Sequence, residues 1–538
     1  MKGTALLLLV PGALAIQLPF ELPSFFKSKQ AVINVVEETP GVTSRVAIIG
    51  AGAGGSSAAF WIGKAKERFG IDVEVDVYDK EAYIGGRSTT VYPYNDSSLP
   101  EIELGASIFV RPNKNLWRAT DEFNLTRRSF KDEDYDNGIW DGETFLLTFK
   151  GGWWDTLKIL WRYGINAPRR TDSAVQAMIK SYLSLYSKDG LHWEKVEDVS
   201  SSLGFETLTS STTSEYLLTQ GVSSSYIHEV VEAATRVNYG QDVDIIHALE
   251  GACSMAADHA AGVVGGNFQL FEQFLKRSGA NVFLKTPVTS VTPKGHQWTV
   301  KSSRGSHTYK AVILAAPFHQ TLIAVPEAIS TQIPAQPYVN LHVTLLTTTS
   351  QYPNASYFGL PDGTVIPQSI LTSRVNARKG GKEPEFNSLS YLRSVRDGEW
   401  AVKIFSAEPP SDEWLDTVFS GNVGWVYRKL WKAYPKLPPT SVFPPVKLDH
   451  GFYYVNSFEP YVFSYLSVPP PSPQPPHPSH VSSNSPFIST METETISSRN
   501  IVDLLLNDQF KTSLCGPRIS GGENTTSDDS DSIYGWDC

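Results

Sequence analysis

The sequence contains few cysteines and, after its first residues, no long apolar run. Only three of the 538 residues are cysteine, too few for a disulfide framework, and neither they nor the histidines show metal-ligand spacing. We therefore predict no metal site. One disulfide, between Cys515 and Cys538, is possible, and it would leave one thiol unpaired. No later segment approaches 18 uncharged apolar residues, so no transmembrane helix is predicted.

The charged residues are also few and evenly mixed. They make up 19% of the chain, and the formal net charge is -10. Because no basic stripe with interleaved aromatic residues is present, we predict no nucleic-acid partner. Hydrophobic residues make up 41% of the sequence, which is enough for a large core, and the length indicates more than one domain.

The first fifteen residues have the pattern of a signal peptide. Lys2 supplies the positive start, residues 5–10 are apolar, and Ala13-Leu14-Ala15 is a small-x-small cleavage site. Four N-x-[ST] sequons predict glycosylation along the same route: Asn95, Asn124, Asn354 and Asn524. We expect a protein of the secretory pathway, located in a lysosome or vacuole lumen or outside the cell.

One βαβ unit follows the leader. The apolar run 45–49 is typical of a buried parallel strand, residues 53–69 have helical composition, and residues 73–79 alternate as a strand. Between the first strand and the helix lies a G-x-G-x-x-G motif, whose glycines allow a tight turn, close approach of a pyrophosphate, and close packing of helix and strand. The predicted nucleotide-binding glycines are Gly50, Gly52, Gly54 and Gly55.

An acidic residue at the end of the second strand completes this pattern. Asp79 is the predicted partner of the ribose hydroxyls. Asp76 and Glu81 lie nearby in the sequence, so the choice among the three carboxylates stays open.

Further glycines distinguish FAD from NAD as the cofactor. Gly85-Gly86-Arg87-Ser88-Thr89 resembles the second glycine motif of amine-oxidase-like flavoproteins, in which the backbone closes over the cofactor and an arginine can reach a phosphate. The Gly105-Ala106 pair resembles the next FAD-lining segment of that superfamily. The segment that contains Val288 resembles the strand whose backbone meets the adenine. The resemblance implies an α/β fold with a FAD-binding Rossmann-like domain of the glutathione-reductase type and a discontinuous mixed α+β substrate domain.

Within this superfamily, most of residues 43–510 resembles the prenylcysteine oxidase family, also called prenylcysteine lyase. The resembling segments are Gly221-Val222-Ser223, Ile227 to Val231, Arg236 to Gln241, Gly251 to Ser254, Gly265-Gly266-Asn267, Tyr453 to Asn456, Glu459 and Ser489 to Glu492. The resemblance implies cleavage of S-farnesyl- or S-geranylgeranyl-cysteine with O2 and water to cysteine, a prenyl aldehyde and hydrogen peroxide, in the degradation of prenylated proteins. It also implies that Glu492 contributes to the FAD site.

The residues that hold the substrate are less defined, because the flavin carries the chemistry and no dedicated base is required. Arg236 is a candidate partner of the substrate carboxylate or, equally, a structural arginine. Tyr239, Tyr453 and Asn456 are further candidates, with packing roles as the alternative. Peripheral association with lipid also stays open.

Two other functions share these motifs. A flavin amine or polyamine oxidase would have the same FAD glycines, and a non-catalytic prenyl-binding protein would keep the fold without oxidising its ligand.

The predicted organisation alternates between a FAD-binding domain and a substrate domain. Residues 1–15 form the signal peptide and 16–42 a lead-in. The FAD-binding domain is assigned to 43–111, 261–320 and 446–515, and the substrate domain to 112–260, which includes a helical insert, and 321–445. Residues 516–538 are predicted to be a disordered acidic tail. Residues 462–487 form an insertion with eight prolines and no charged residue, which is either a surface loop or translated intron sequence.

Overall fold

The computed structural model describes residues 44–130, 136–150, 153–190, 192–256, 260–458, 488–516 and 532–538. The predicted signal peptide, the lead-in, the insertion at 462–487 and the sequon at Asn524 lie outside the described residues.

Strands account for much of the two main layers. Their bounds are β1 Ser44–Ile49, β2 Val73–Tyr78, β3 Thr90–Val91, β4 Ile102–Glu103, β5 Arg127–Ser129, β6 Asn137–Trp140, β7 Phe145–Phe149, β8 Ala261–Val263, β9 Asn281–Phe283, β10 Val288–Lys294, β11 Gln297–Ser302, β12 Gly305–Tyr309, β13 Ala311–Leu314, β14 Tyr338–Thr348, β15 Ser369–Thr372, β16 Ser388–Arg396, β17 Glu399–Ser406, β18 Val423–Pro435, β19 Lys447–Asp449 and β20 Phe452–Tyr454.

The α-helices cover the sheets and fill the region between β7 and β8. Their bounds are α1 Ala53–Phe69, α2 Lys114–Glu122, α3 Trp153–Tyr163, α4 Asn166–Tyr182, α5 Val196–Ser202, α6 Glu206–Ser210, α7 Thr213–Thr219, α8 Ser224–Tyr226, α9 Glu232–Tyr239, α10 Ala248–Met255, α11 Phe268–Ser278, α12 Phe318–Thr321, α13 Glu327–Ser330, α14 Asp412–Val418 and α15 Met491–Phe510.

The first layer is a six-stranded sheet in the order β19-β20-β13-β1-β2-β9. All pairs are parallel except β19 with β20. Alternate side chains of β1 enter different cores: Val46 and Ile48 pack with the helices α1, α11 and α15, whereas Ala47 and Ile49 pack with the three-stranded sheet β10-β11-β12. A parallel sheet covered on both faces confirms the predicted α/β class.

The second layer is a seven-stranded sheet in the order β18-β14-β17-β16-β15-β6-β7. Its strands are antiparallel apart from β15 with β6. Since β6 and β7 precede β8 to β13 in the chain and the other strands follow them, two separate stretches of sequence build this sheet. The longest contact in this sheet is made by β14, which pairs with β17 on one side and β18 on the other.

The helical insert is interrupted between α7 and α8. Helix α7 ends at Thr219 and the next helical segment begins at Ser224. Gly221 between them has φ +72°, a left-handed conformation that ends a helix. From Ser224 the chain continues through a π-helical turn, Ile227–Val231, into α9.

The prediction of a disordered tail is wrong for residues 532–538. Ile533 and Tyr534 are buried, and the ring of Trp536 packs against Phe60 and Trp61 with centroid distances of 5.1 and 5.3 Å. The Cys515–Cys538 disulfide is present. The acidic average composition of the tail obscured its aromatic residues, which provide enough apolar contact to order this segment.

Candidate cofactor and substrate site

The glycine turn lies at the carboxyl end of the central strand β1. Gly50 has φ +113°, and its N–H donates to the carbonyl of Tyr78 at 2.8 Å. A Cβ on Gly55 would collide with the carbonyl oxygen of Gly50, whereas a Cβ on Gly52 would meet nothing closer than 3.8 Å. Gly55 is therefore needed for packing, and Gly52 faces open space, as the motif predicts.

Helix α1 begins at this turn, and no side chain caps the backbone N–H groups of its first turn. Its N-cap, Gly52, provides no side-chain cap, and its first turn has no acidic residue. The first N–H groups of a helix lack intrahelical acceptors and carry the positive end of the helix dipole. This helix end is thus suited to bind a diphosphate.

Asp79 is held beside the turn by two backbone groups. Its Oδ2 accepts from the N–H of Ala51 at 2.7 Å, and its Oδ1 accepts from the N–H of Glu81 at 2.8 Å. Partial burial raises the pKa of this carboxyl, although the two hydrogen bonds oppose the rise.

The competing carboxylate Asp76 has a structural role instead. It is fully buried, its Oδ1 accepts from Asn281 at 2.9 Å, and its Oδ2 accepts from Tyr309 at 2.7 Å and pairs with Arg45. Asp76 is therefore excluded as the ribose partner. Asp79 and the exposed Glu81 remain.

The second glycine segment packs directly on the first. The N–H of Gly85 donates to the carbonyl of Ala51 at 3.0 Å, and a Cβ on Gly86 would lie 3.4 Å from the Cα of Gly52. Arg87 extends from here to the seven-stranded sheet, where its Nη1 donates to the carbonyl of Ala433 at 2.6 Å. Its Nη2 lies 3.9 Å from Oε1 of Glu494.

The Gly105-Ala106 segment lies against Arg87. The N–H of Ala106 donates to the carbonyl of Arg87 at 3.1 Å, and a Cβ on Gly105 would collide with the same oxygen. The structure therefore brings together all three glycine segments predicted from the sequence.

A buried lysine supports this last segment and was missed by the sequence analysis. Lys403, on β17, donates to the carbonyl of Glu103 at 2.8 Å and to Oγ of Ser107 at 2.9 Å. Burial lowers the pKa of Lys403 and raises the pKa of the neighbouring Glu103 carboxyl. The signal in the sequence is a single charged residue between apolar neighbours, Val402 and Ile404.

Val288 follows a segment that is hydrogen-bonded to the backbone of Asp79. It is the first residue of β10, and two residues earlier the N–H of Thr286 donates to the carbonyl of Asp79 at 2.7 Å. Its predicted contact with the adenine stays a prediction.

The start of α15 approaches the glycine turn through Glu494 rather than Glu492. A Cβ on Gly54 would lie 2.6 Å from Oε2 of Glu494, and Asn456 Nδ2 donates to Oε1 of Glu494 at 2.8 Å. Asn456 is thus next to the predicted cofactor site. The sequence analysis did not select Glu494.

The carboxylate of Glu492 has a structural role, and its predicted contact with the cofactor stays a prediction. This carboxylate is fully buried and accepts from the N–H groups of Asn115 and Leu116 at 2.8 and 3.0 Å and from the hydroxyl of Tyr186 at 2.6 Å. It therefore caps the N-terminus of α2. Burial raises the pKa of Glu492 to about 7.

Two substrate candidates have structural roles. The guanidinium of Arg236 is buried and donates to three side chains, Thr372 at 3.1 Å, Asp242 at 2.8 Å and Asn387 at 3.0 Å. Tyr453, on β20, donates to Asp508 of α15 at 3.0 Å. For both residues the structure favours the packing alternative.

Tyr239 belongs to a buried polar chain near Arg87. Its hydroxyl hydrogen-bonds the carboxyl of Glu250, which also accepts from the N–H of Ser489 at 3.2 Å. The rings of Tyr239 and Tyr434 meet edge to face at 5.4 Å, and Tyr434 follows the residue that Arg87 contacts. Burial raises the pKa of Glu250 to about 8, so this acid is largely protonated at neutral pH.

Within the described residues no cluster of three or more potential ligands could hold a metal ion. The sequons Asn95 and Asn124 are exposed, while the Nδ2 of Asn354 donates to the carbonyl of Thr417 at 3.0 Å.

Comparison with known proteins gives this arrangement its family. The model of an NAD(P)-binding Rossmann-like domain matches residues 48–123, and the prenylcysteine lyase model matches residues 148–464. The chain belongs to the prenylcysteine lyase family. The prediction made from the resemblance is confirmed.

Individual relatives agree with this assignment. Farnesylcysteine lyase of Arabidopsis thaliana is 30% identical over 450 residues, covering 79% of this chain and 85% of the relative. Prenylcysteine oxidase 1 of Homo sapiens is 26% identical over 447 residues, covering 77% and 84%. A triple mutant of putrescine oxidase has TM-score 0.56 and 14% identity, covering 86% of this chain and 99% of the other. At this identity the likeness concerns the fold alone.

Proposed function

We propose that this chain is a FAD-dependent thioether oxidase that cleaves S-farnesyl- or S-geranylgeranyl-cysteine. With O2 and water, the products are free cysteine, the prenyl aldehyde and hydrogen peroxide. Three glycine segments, Gly50 to Gly55, Gly85-Gly86 and Gly105-Ala106, lie together, and we call them the glycine cradle. The observation that carries the proposal is this cradle in a member of the prenylcysteine lyase family. Such an enzyme would act in the degradation of prenylated proteins.

The residues at the cradle fit a dinucleotide. A Cβ added to Gly52 would have its nearest neighbour at 3.8 Å, so the backbone is open to close approach here, and the uncapped start of α1 supplies N–H donors for a diphosphate. Asp79 would hold the ribose, Gly85 and Gly86 would line the diphosphate, and Glu494 would bound the site from α15. When bound, the flavin would supply the two-electron oxidation of the substrate, and O2 would be the oxidant that regenerates the flavin.

On this proposal the protein's own side chains position and enclose the reacting bond. Lys403 anchors the carbonyl of Glu103 and the hydroxyl of Ser107, and so fixes the Gly105-Ala106 backbone. Asn456 and Tyr239 remain the candidates for contact with the amino acid head of the substrate, since Arg236 and Tyr453 are committed elsewhere. A prenyl chain would contribute roughly 0.8 kcal/mol for each methylene that the protein buries.

We also propose a location in the secretory pathway, in a lysosome or vacuole lumen or outside the cell. The Cys515–Cys538 disulfide supports this proposal, because such bonds persist in oxidising compartments. The exposed sequons Asn95 and Asn124 are compatible with glycosylation there.

Anaerobic mixing of the purified protein with farnesylcysteine tests the proposal. We expect the flavin absorbance near 450 nm to bleach, to recover when air is admitted, and hydrogen peroxide to appear together with free cysteine. Putrescine is the control substrate. Bleaching by putrescine but not by farnesylcysteine would establish an amine oxidase, and flavin that neither substrate bleaches would indicate a non-catalytic prenyl-binding protein.

A further inference from the structure

Helix α3 presents an exposed aromatic face. Trp153, Trp154 and Trp161 have relative exposures of 62, 64 and 91%, and Leu157 is 46% exposed. We call these four residues the Trp face. Because a helix turns about 100° per residue, they share one side of α3. Single exposed apolar residues are ordinary on protein surfaces, but a contiguous patch marks an interaction site.

The opposite side of α3 is firmly attached to the protein. Asp155 and Tyr163 are buried; Asp155 Oδ2 accepts from the N–H of Lys150 at 2.7 Å, and the hydroxyl of Tyr163 donates to Glu229 at 2.7 Å. Partly buried Ile159 packs against two hydrophobic clusters. The helix is therefore held with its Trp face outward.

The charge next to the Trp face points to the nature of its partner. Lys158 and Arg162 lie beside the face, where Lys158 pairs with Asp155 at 2.8 Å and Arg162 pairs with Glu229 at 2.7 Å. Arg169 and Arg170 follow at the start of α4 and are exposed. Residues 153–170 contain these four basic side chains and one acidic one, Asp155, in a chain whose net charge is -10. A basic segment on an acidic protein favours an anionic partner.

The length and composition of α3 fit the interface of a bilayer. Tryptophan is enriched at the headgroup level of membranes, and helices with an apolar Trp and Leu face and basic residues beside it lie in the plane of the interface. α3 has 11 residues, about half of what a span requires. In the described portion of the chain, no helix has the length and hydropathy to cross a membrane.

We propose that α3 docks the protein on a lipid bilayer that contains anionic headgroups, with the Trp face buried among them. Docking would give the protein access to a prenylated substrate that partitions into lipid, and this role rests on the proposed function. The docking itself does not.

The test is flotation of the purified full chain with phosphatidylcholine vesicles prepared with and without phosphatidylserine. We expect flotation with both vesicle types and stronger flotation with phosphatidylserine. The double variant Trp154→Ser/Trp161→Ser should partition at least about tenfold more weakly. The control Leu322→Asn, at a 90% exposed residue far from α3 in sequence, should float like wild type. Arg169→Gln, at an exposed arginine, should reduce the phosphatidylserine enhancement.

Several results would overturn the proposal. They are a wild-type chain that does not float with either vesicle, a Trp154→Ser/Trp161→Ser variant that floats like wild type, or a wild-type dimer that the variant converts to monomer without any change in flotation. The last result would assign the Trp face to a second copy of the chain. Thermal unfolding and turnover of farnesylcysteine free in solution are measured in parallel; both should be unchanged in the variants, so a failure of docking is separated from a failure of catalysis.

Discussion

The carboxylate of Asp79 accepts a hydrogen bond from the backbone N–H of Ala51 at 2.7 Å, which ties the acid at the end of β2 to the glycine turn after β1. We expect Asp79→Ala to weaken FAD binding about 10- to 100-fold, because a hydrogen bond to a charged group contributes about 1.5 to 3 kcal/mol. Flavin fluorescence titration measures the effect. Glu81→Gln, at the neighbouring exposed carboxylate, is the matched control; if it loses more affinity than Asp79→Ala, Glu81 is the ribose partner.

Two glycines of the turn should respond differently to the same added methyl group. In Gly55→Ala the Cβ collides with the carbonyl of Gly50, whereas in Gly52→Ala it has 3.8 Å to its nearest neighbour. We expect Gly55→Ala to lower the free energy of unfolding by about 3 kcal/mol. Gly52→Ala should purify with little flavin and unfold like flavin-free wild type, because bound flavin itself stabilises the folded state. Denaturant titration and the flavin-to-protein absorbance ratio separate the outcomes, and full flavin content in Gly52→Ala would argue against a diphosphate at this gap.

The glycine cradle was also the region of the site most accessible from the sequence. Glycine spacing and the change from alternating to helical periodicity are local signals, so β1, α1 and β2 lie within about one residue of their predicted bounds. Lys403 and Glu494 were not identified because their partners at the cradle lie far away in the sequence, and a single charged residue in a strand or helix carries no information on them. For the same reason the sequence left the role of Arg236 undecided; two of its three partners, Thr372 and Asn387, belong to a distant region of the chain.

The stability of the protein should decrease as the pH rises from neutral. Burial raises the pKa of Glu250 from 4.5 to about 8, so the folded state retains a proton that the unfolded state has lost. This contribution is complete below pH 4.5 and is lost as the pH rises through about 8. Glu492, raised to about 7, acts in the same direction. His247 acts in the opposite direction, since burial lowers its pKa from 6.5 to about 3, but only below pH 6.5.

Thermal unfolding of wild type and Glu250→Gln between pH 6.5 and 8.5 tests this expectation, in the window above the titration of unfolded histidine. The amide keeps the shape of the carboxyl and cannot ionise, so the variant should show a smaller fall in unfolding temperature. Parallel curves for the two proteins would show that Glu250 does not titrate in this range.

The flanks of the Pro/Ser-rich insertion meet in one hydrophobic cluster, since Phe458 and Ile488 are both buried there. Removal of residues 464–485 should therefore leave the fold and the turnover of farnesylcysteine intact, with a change in unfolding free energy below about 1 kcal/mol, because loop closure depends only weakly on length. Denaturant titration of both proteins measures it. A deletion protein that fails to fold would assign a structural role to the insertion and argue against its origin as intron sequence.

Because Trp536 packs on Phe60 and Trp61, the FAD-binding domain is completed only late in ribosomal synthesis. Helix α1 leaves the ribosome several hundred residues before the aromatic ring that covers it, so its apolar surface stays uncovered until Trp536 has been made and Cys515 has closed with Cys538. A message with a stop codon shortly before Trp536 would yield a polypeptide with this surface exposed, and chaperones and proteases would recognise it there.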